Sequence, residues 1–289
     1  MKRKNVVLVP PCMTYGDCLS VVGMVYYLLE HYEKVHFFIE PNNVSDYFRH
    51  FFGSDPRFNR DIFLTSNPGD LIQRSNFGDY DVVNVHTGDW SSARFDLRCD
   101  KVENYFNDLN PLYNVLDVVP ELQANPNCHL PNQNLEVNHL FYYKLVGLNN
   151  DVRMRYFNYI RNEEAEAHYA KLAMARCGIP EGRKYNVVNF PGSAAASFDA
   201  GNEHPTINID MLAPCPGYLL SLVEGAETIT LVEGSNVNLL YHCQYVGVFN
   251  PQEVNFVVKH RNRNWPRYNL DYAWKMMATP QLHNWCFIF

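Results

Sequence analysis

The stretch NVVLVP, Asn5 to Pro10, sets four apolar side chains in an unbroken row. A strand with one wet face alternates apolar and polar residues. A continuous run needs cover on both faces, which is the situation inside a parallel sheet flanked by helices. The pattern recurs in KVHFFIEP, Lys34 to Pro41, and in DVVNVH, Asp81 to His86. Between the first two runs, Asp17 to His31 carries Leu19, Val22, Val25, Tyr26 and Leu29 at helical spacing. A further helical stretch spans Val44 to Phe52. Strand, helix and strand in alternation predict an α/β fold built on a parallel sheet with helices on both faces.

The middle of the chain changes character. Residues 107–137 hold Pro111, Pro120, Pro126 and Pro131 among many asparagines, a loop or linker composition. Helical patterns follow over Leu140 to Leu148, Val152 to Ile160 and Glu163 to Cys177. The last of these is closed by Gly178, with Pro180 behind it. Then the alternation resumes. KYNVVNFPG, Lys184 to Gly192, is a strand running into a small-residue loop. INIDML, Ile207 to Leu212, reads as a short strand and Tyr218 to Glu224 as a helix. ETITLVEGSNVNLLYHCQ, Glu227 to Gln244, is strand, tight turn and helix, and VNFVVKH, Val254 to His260, is one more strand. The tail, Tyr268 to Phe289, starts helical and ends aromatic. The order predicts two Rossmann-like α/β lobes facing a cleft, 1–135 and 136–289, with the tail packing back on the first.

A net charge of −7 argues against a protein that grips a nucleic-acid backbone. The eight cysteines form no Cys-x-x-Cys pair and no zinc-site spacing, so they read as reduced, buried thiols of a cytoplasmic protein. The apolar run near the amino terminus is short and broken by Pro10-Pro11, which fits neither a signal peptide nor a membrane span. Nothing in the pattern reports an oligomeric state.

Open α/β sheets bind ligands beyond the carboxyl ends of their strands. Three junctions of that kind stand out. PPCMTYGD ends with Gly16-Asp17 at the start of a helix, where Asp17 is either a helix cap or a carboxylate at the mouth of a site. LVEGSNVNLL ends a strand at Glu233 and opens a helix through Gly234, Ser235 and Asn236. Small residues there let a ligand near the backbone, and free amides suit a diphosphate; a capping turn without ligand is the alternative. NFPGSAAAS repeats the theme with Gly192, Ser193 and Ser197.

Other patterns have simpler readings. The Asp79-Tyr80-Asp81 pair of acids precedes a strand and reads as a strand start. The acids of NEEAEAH sit where a helix dipole favours them. The basic cluster KHRNRNW, with Arg261 and Arg263, either reaches a phosphate or is a solvated loop. His86, at a strand end, either lines the cleft or is structural. No metal-ligating set is recognisable.

YGDCLSVVGMVYYLLEHY resembles the start of heptosyltransferase-like glycosyltransferases of the two-lobed GT-B fold, whose first loop carries Gly-Asp ahead of a helix. In that family this Asp is the proposed general base, which the resemblance puts on Asp17. ITLVEGSNVNLLYHC is similar to the family's second signature, the turn that holds the donor's diphosphate. That implies donor-binding roles for Glu233, Gly234, Ser235 and Asn236, with Asn238 where the family often has His. VVNFPGSAAAS looks like the family's phosphate-contacting hydroxyl loop, which implies a role for Ser193 beside Gly192 and Ser197. The tail TPQLHNWCFIF is also similar to small glycosyltransferases of large algal DNA viruses. One departure matters: the family's lysine after the Gly loop is missing from SFDAGNEHPTINID, so positive charge for the leaving group must come from elsewhere, with Arg261 and Arg263 as candidates.

The resemblance implies an inverting transferase without a metal or other cofactor, in which a nucleoside-diphosphate sugar donates to a glycan hydroxyl. The first lobe is then the acceptor side, with Tyr15, Gly16 and His86 near Asp17, and the second binds the nucleotide sugar. A nucleotide-sugar epimerase on the same fold, or a noncatalytic nucleotide-sugar-binding protein, are the alternatives.

Overall fold

The computed structural model describes residues 3–10, 14–39, 43–65, 80–85, 143, 148, 151–189, 204–210, 212–232, 234–257 and 280–288. The predicted linker lies outside them, as does most of the predicted helix before Leu148. The chain divides into two compact units, Met1–Asn158 and Tyr159–Phe289. Residues 136–158, grouped with the second lobe on sequence grounds, fall in the first unit.

The first unit is a four-stranded parallel sheet in the order β3-β2-β1-β4. Its strands are β1 (Arg3–Val9), β2 (Tyr32–Phe38), β3 (Ile62–Thr65) and β4 (Tyr80–Asn84). Val6, Val7, Leu8 and Val9 are all buried, as a strand covered on both faces requires. β3, the four residues IFLT, is not among the strands expected from the sequence. Tyr80 and Asp81 do start a strand, paired with Asn5 and Val6.

The helix expected over 17–31 is two helices, α1 (Tyr15–Ser20) and α2 (Val22–His31), broken at Val21. A continuous helix would bond the Met24 amide to the Ser20 carbonyl, four residues back. Instead the Met24 amide is shared between the Val21 carbonyl at 2.9 Å and the Tyr143 hydroxyl at 3.2 Å, and that hydroxyl donates to the Ser20 carbonyl at 3.0 Å. The fully buried phenol is thus spliced into the helical ladder, a recognised cause of a kink. One turn on, a Cβ on Gly23 would lie 2.2 Å from the Arg153 carbonyl oxygen. Only glycine lets α4 (Val152–Arg155) come this close. Tyr143 and Arg153 explain why this part of the chain belongs to the first unit. The helix expected over 152–160 stops at Arg155, and the next rings turn onto neighbours, Tyr156 onto Tyr27 and Phe157 onto Phe51.

Helix α3 (Asn43–Phe52) buries Tyr47, Phe48, Phe51 and Phe52 on one face, with Phe48 edge-on to Phe37 of β2. Just beyond it, buried Asp55 accepts from the Tyr26 hydroxyl, the Arg57 amide and, side-on, Nε and Nη2 of the Arg57 guanidinium. Burial alone would raise the Asp55 carboxyl, but the Arg57 bonds and the Tyr26 hydroxyl outweigh it, and the group ends below its ordinary value.

The second unit is a five-stranded parallel sheet in the order β6-β5-β7-β8-β9. Its strands are β5 (Asn186–Asn189), β6 (Thr206–Asn208), β7 (Thr228–Val232), β8 (Val254–Val257) and β9 (Trp285–Ile288). The aromatic end of the tail is therefore an edge strand of this sheet. The helices are α5 (Glu163–Arg176), α6 (Leu220–Glu224) and α7 (Ser235–Tyr245). Asn162 caps α5 through the Ala165 amide at 3.0 Å. Glu166, expected merely to suit the helix dipole, is 2% exposed and carries an ion pair. Arg161 binds Glu166, Glu224 and the Val248 carbonyl, while Glu166 also takes the Ser221 amide. One guanidinium so ties α5, α6 and the turn after α7, and a buried charge is kept by being paired.

Of the five described cysteines, Cys18, Cys215 and Cys243 are buried but Cys177 and Cys286 are exposed. The expectation of buried thiols fails at these two because one lies just past α5 and the other on the edge strand. No described helix is long and apolar enough to cross a membrane.

Candidate functional site

Strand order shows where each sheet offers a ligand site. In a parallel sheet, the chain leaving one strand to one side and the chain leaving its neighbour to the other open a crevice between their carboxyl ends. In the first unit the chain leaves β1 toward β2, while β4 lies on the opposite side, so the switch falls between β1 and β4. In the second unit the chain leaves β5 toward β6 and leaves β7 toward β8, so the switch falls between β5 and β7.

Beyond β1 the chain enters α1 through Thr14, in extended conformation. Its hydroxyl accepts from the Asp17 amide at 3.4 Å and donates to the Asp17 carboxylate. This is a reciprocal Thr-x-x-Asp cap, related to the capping box. Tyr15, Gly16 and Asp17 form the first turn and are half-buried. The Tyr15 ring stands 4.9 Å from that of Tyr47, and burial, with Asp46 nearby, raises its hydroxyl. A carboxylate has roughly four lone-pair sites, so a cap does not exhaust it as a proton acceptor. Val85, after β4, is buried on the other side of the switch; its neighbour His86 lies outside the described residues.

Beyond β7 the arrangement is the reverse. Gly234 is the N-cap of α7, with extended backbone and no side chain to cap with. No acid lies in the first turn. The first amides of α7 thus carry the positive end of the helix dipole with no cap carboxylate, the usual setting for an anion. Ser235 opens the helix. The Asn236 amide group donates to Asp210 Oδ1 at 3.4 Å, bringing in a residue just past β6 that the sequence reading missed. Asn238 lies one turn along α7, and its carbonyl faces Nδ1 of buried His242. Asn189, the last residue of β5, is likewise a polar group absent from the sequence-derived set. Both could have been found from the rule that strand ends matter, had the short β6 been bounded correctly.

Gly234, Ser235, Asn236 and Asn238 are therefore on one helix start. Gly192, Ser193, Ser197, Glu233, Arg261 and Arg263 lie outside the described residues. Among the described residues, no group of three or more His, Cys, Asp or Glu could hold a metal ion.

No protein-family model matches the chain, and no curated protein matches it. Among solved structures it is similar to the crystal structure of the glycosyl transferase family 9 protein from Veillonella parvula DSM 2008. The match has a TM-score of 0.50 at 10% sequence identity and covers 92% of this chain and 84% of that one. At that identity the likeness is one of fold, and it extends over nearly the whole chain.

Proposed function

We propose that the chain is an inverting glycosyltransferase with two Rossmann-like lobes facing a cleft in the GT-B manner. It moves a sugar from a nucleoside diphosphate to a glycan hydroxyl without a metal. The observation that carries the reading is the fold likeness to a glycosyl transferase over 92% of the chain. Two sheet switch points, one followed by a carboxylate and one by an uncapped helix start, fit the same chemistry.

In this reading Asp17 takes the proton of the acceptor hydroxyl as its oxygen bonds to the anomeric carbon. The bond from that carbon to the diphosphate breaks, and the diphosphate leaves with the electron pair. The amides at the start of α7, with Gly192, Ser193, Ser197 and Asn238 around them, hold the departing charge, and Glu233, an acceptor only, bonds a hydroxyl of the donor. Arg261 or Arg263 supplies the missing cation. Tyr15, Gly16 and His86 line the acceptor side. A base facing the donor from the side opposite the leaving group inverts the anomeric carbon.

The test is release of nucleoside diphosphate from a panel of nucleotide sugars, with and without glycan acceptors. Acceptor-dependent release that disappears in Asp17→Asn, with donor affinity intact, supports the transferase. A second reading has a specific observation behind it: the Thr14–Asp17 cap is what a purely structural Asp17 would make. In that case the protein binds nucleotide sugars without turning them over, and Asp17→Asn changes nothing but helix stability.

A further inference from the structure

Three strand ends lie side by side at the carboxyl edge of the second sheet: Asn208 of β6, Asn189 of β5 and Val232 of β7. Asn189 is 1% exposed, and among the described residues no donor reaches its Oδ1. A buried amide oxygen left without a donor is costly, so natural proteins keep one where something else supplies the proton. Next to it, the Ile209 amide bonds to the Val188 carbonyl at 2.8 Å, which sets Asp210 just beyond the sheet edge. Asp210 is held there twice. Its amide donates to Asn208 Oδ1 at 3.1 Å, and its Oδ1 accepts from Asn236 on the first turn of α7. Asn236 occupies one of roughly four lone-pair sites on that carboxylate.

The β5–β7 switch point is thus rimmed by two kinds of group. The start of α7 offers amide donors. Asp210 and Asn189 offer oxygen acceptors. Acceptors do not hold an ionised diphosphate, which has no proton to give; they hold hydroxyls. In doubly wound sheets, an acid at the end of the strand following the first is the position that bonds a ribose hydroxyl. β6 is that strand: it follows β5 in the chain and lies beside it.

We propose that Asp210 and Asn189 take the two ribose hydroxyls of a nucleoside diphosphate, with its diphosphate directed to the start of α7. This rests on the nucleotide-sugar reading above and adds to it the residues that select a ribonucleotide. A site built to bond a hydroxyl rejects the analogue lacking it far more sharply than an apolar pocket would.

The test is calorimetric titration of the full chain with ADP, GDP, UDP and CDP. The tightest of these is then compared with its 2′-deoxy and 3′-deoxy forms. Loss of either hydroxyl should weaken binding by about tenfold or more. Asp210→Ala should weaken the ribonucleotide to a similar degree and erase the discrimination at one hydroxyl. Asn189→Leu should erase it at the other without lowering the melting temperature, since it removes an oxygen that no donor among the described residues meets. Equal binding of ribo and deoxy forms, or discrimination that survives Asp210→Ala, overturns the proposal and leaves the transferase reading standing. A marked fall in melting temperature for Asn189→Leu overturns the role of Asn189, because its oxygen is then satisfied within the chain. If no diphosphate binds at all, the nucleotide-sugar reading falls and this proposal falls with it.

Discussion

Helices α1 and α7 both begin just past a parallel strand at the switch point of their sheet, yet their first turns are finished in opposite ways. α1 has a threonine cap and an acid three residues in, bonded to each other. α7 has a glycine and no acid. The helix dipole is the same at both, roughly half a positive charge. At α1 that charge is met within the chain. At α7 no acid of the helix's own first turn meets it, and the carboxylate shown at that turn is Asp210, bonded to Asn236. The same backbone device is thus closed by its own side chains in one unit and left without a side-chain cap in the other, and the difference resides in two or three side chains.

The largest effect should come from removing the acid. If Asp17 is the base, Asp17→Asn should cut acceptor-dependent diphosphate release by about 10²-fold or more, the usual contribution of general-base catalysis. Donor affinity by calorimetry should stay unchanged. A residual rate above a tenth of wild type would reduce Asp17 to a cap.

The next experiment makes α7 resemble α1. Gly234 is extended, and a Cβ there meets nothing nearer than the Val232 carbonyl oxygen at 3.8 Å, so Gly234→Asp is sterically allowed. An aspartate is a favoured cap, so thermal stability should hold or rise slightly. Nucleoside-diphosphate affinity should drop by about tenfold or more, because a carboxylate now occupies the seat. Unchanged affinity would remove α7 from the donor site.

Tyr143→Phe probes what sets the angle between α1 and α2. It deletes the hydroxyl that joins the Met24 amide to the Ser20 carbonyl; the amide keeps its bond to the Val21 carbonyl, while the Ser20 carbonyl loses the Tyr143 donor. Denaturant unfolding should show a loss of about 1–3 kcal/mol. A cost near zero would mean the helix break heals without it.

The smallest effect belongs to the cap. Thr14→Ala should cost about 1 kcal/mol and free the Asp17 carboxylate from the Thr14 hydroxyl, while transfer activity remains. A loss of activity as large as that of Asp17→Asn would show that Thr14 positions the acid for more than folding.

A few elements of the two units show how far the sequence could be read. The buried strands announced themselves because both of their faces are covered, so every residue from Val6 to Val9 is apolar. Helix α5 was equally plain, with Asn162 before it and Gly178 after it. The break at Val21 was invisible: its cause, Tyr143, lies 119 residues beyond Met24 in the chain. No local pattern encodes a hydroxyl inserted from that distance. β3 and β9 were missed, although β5 and β8 of the same length were read. The site divides in the same way. The starts of α1 and α7 stood out as local spacing of small and acidic residues. Asp210 did not, since its meaning depends on β6 lying beside β5 and on Asn236 reaching it from a helix that follows a different strand.

The sequence by itself determined the class of fold and the two helix starts, because continuous apolar runs, caps and glycines act over a few residues. Strand order was decided by tertiary structure alone. With it came the location of both switch points, the splice of Tyr143 into the α1–α2 junction, and the meeting of Asn189, Asp210 and Asn236. Each of these depends on contacts between segments far apart in the chain, whose energies no local pattern records.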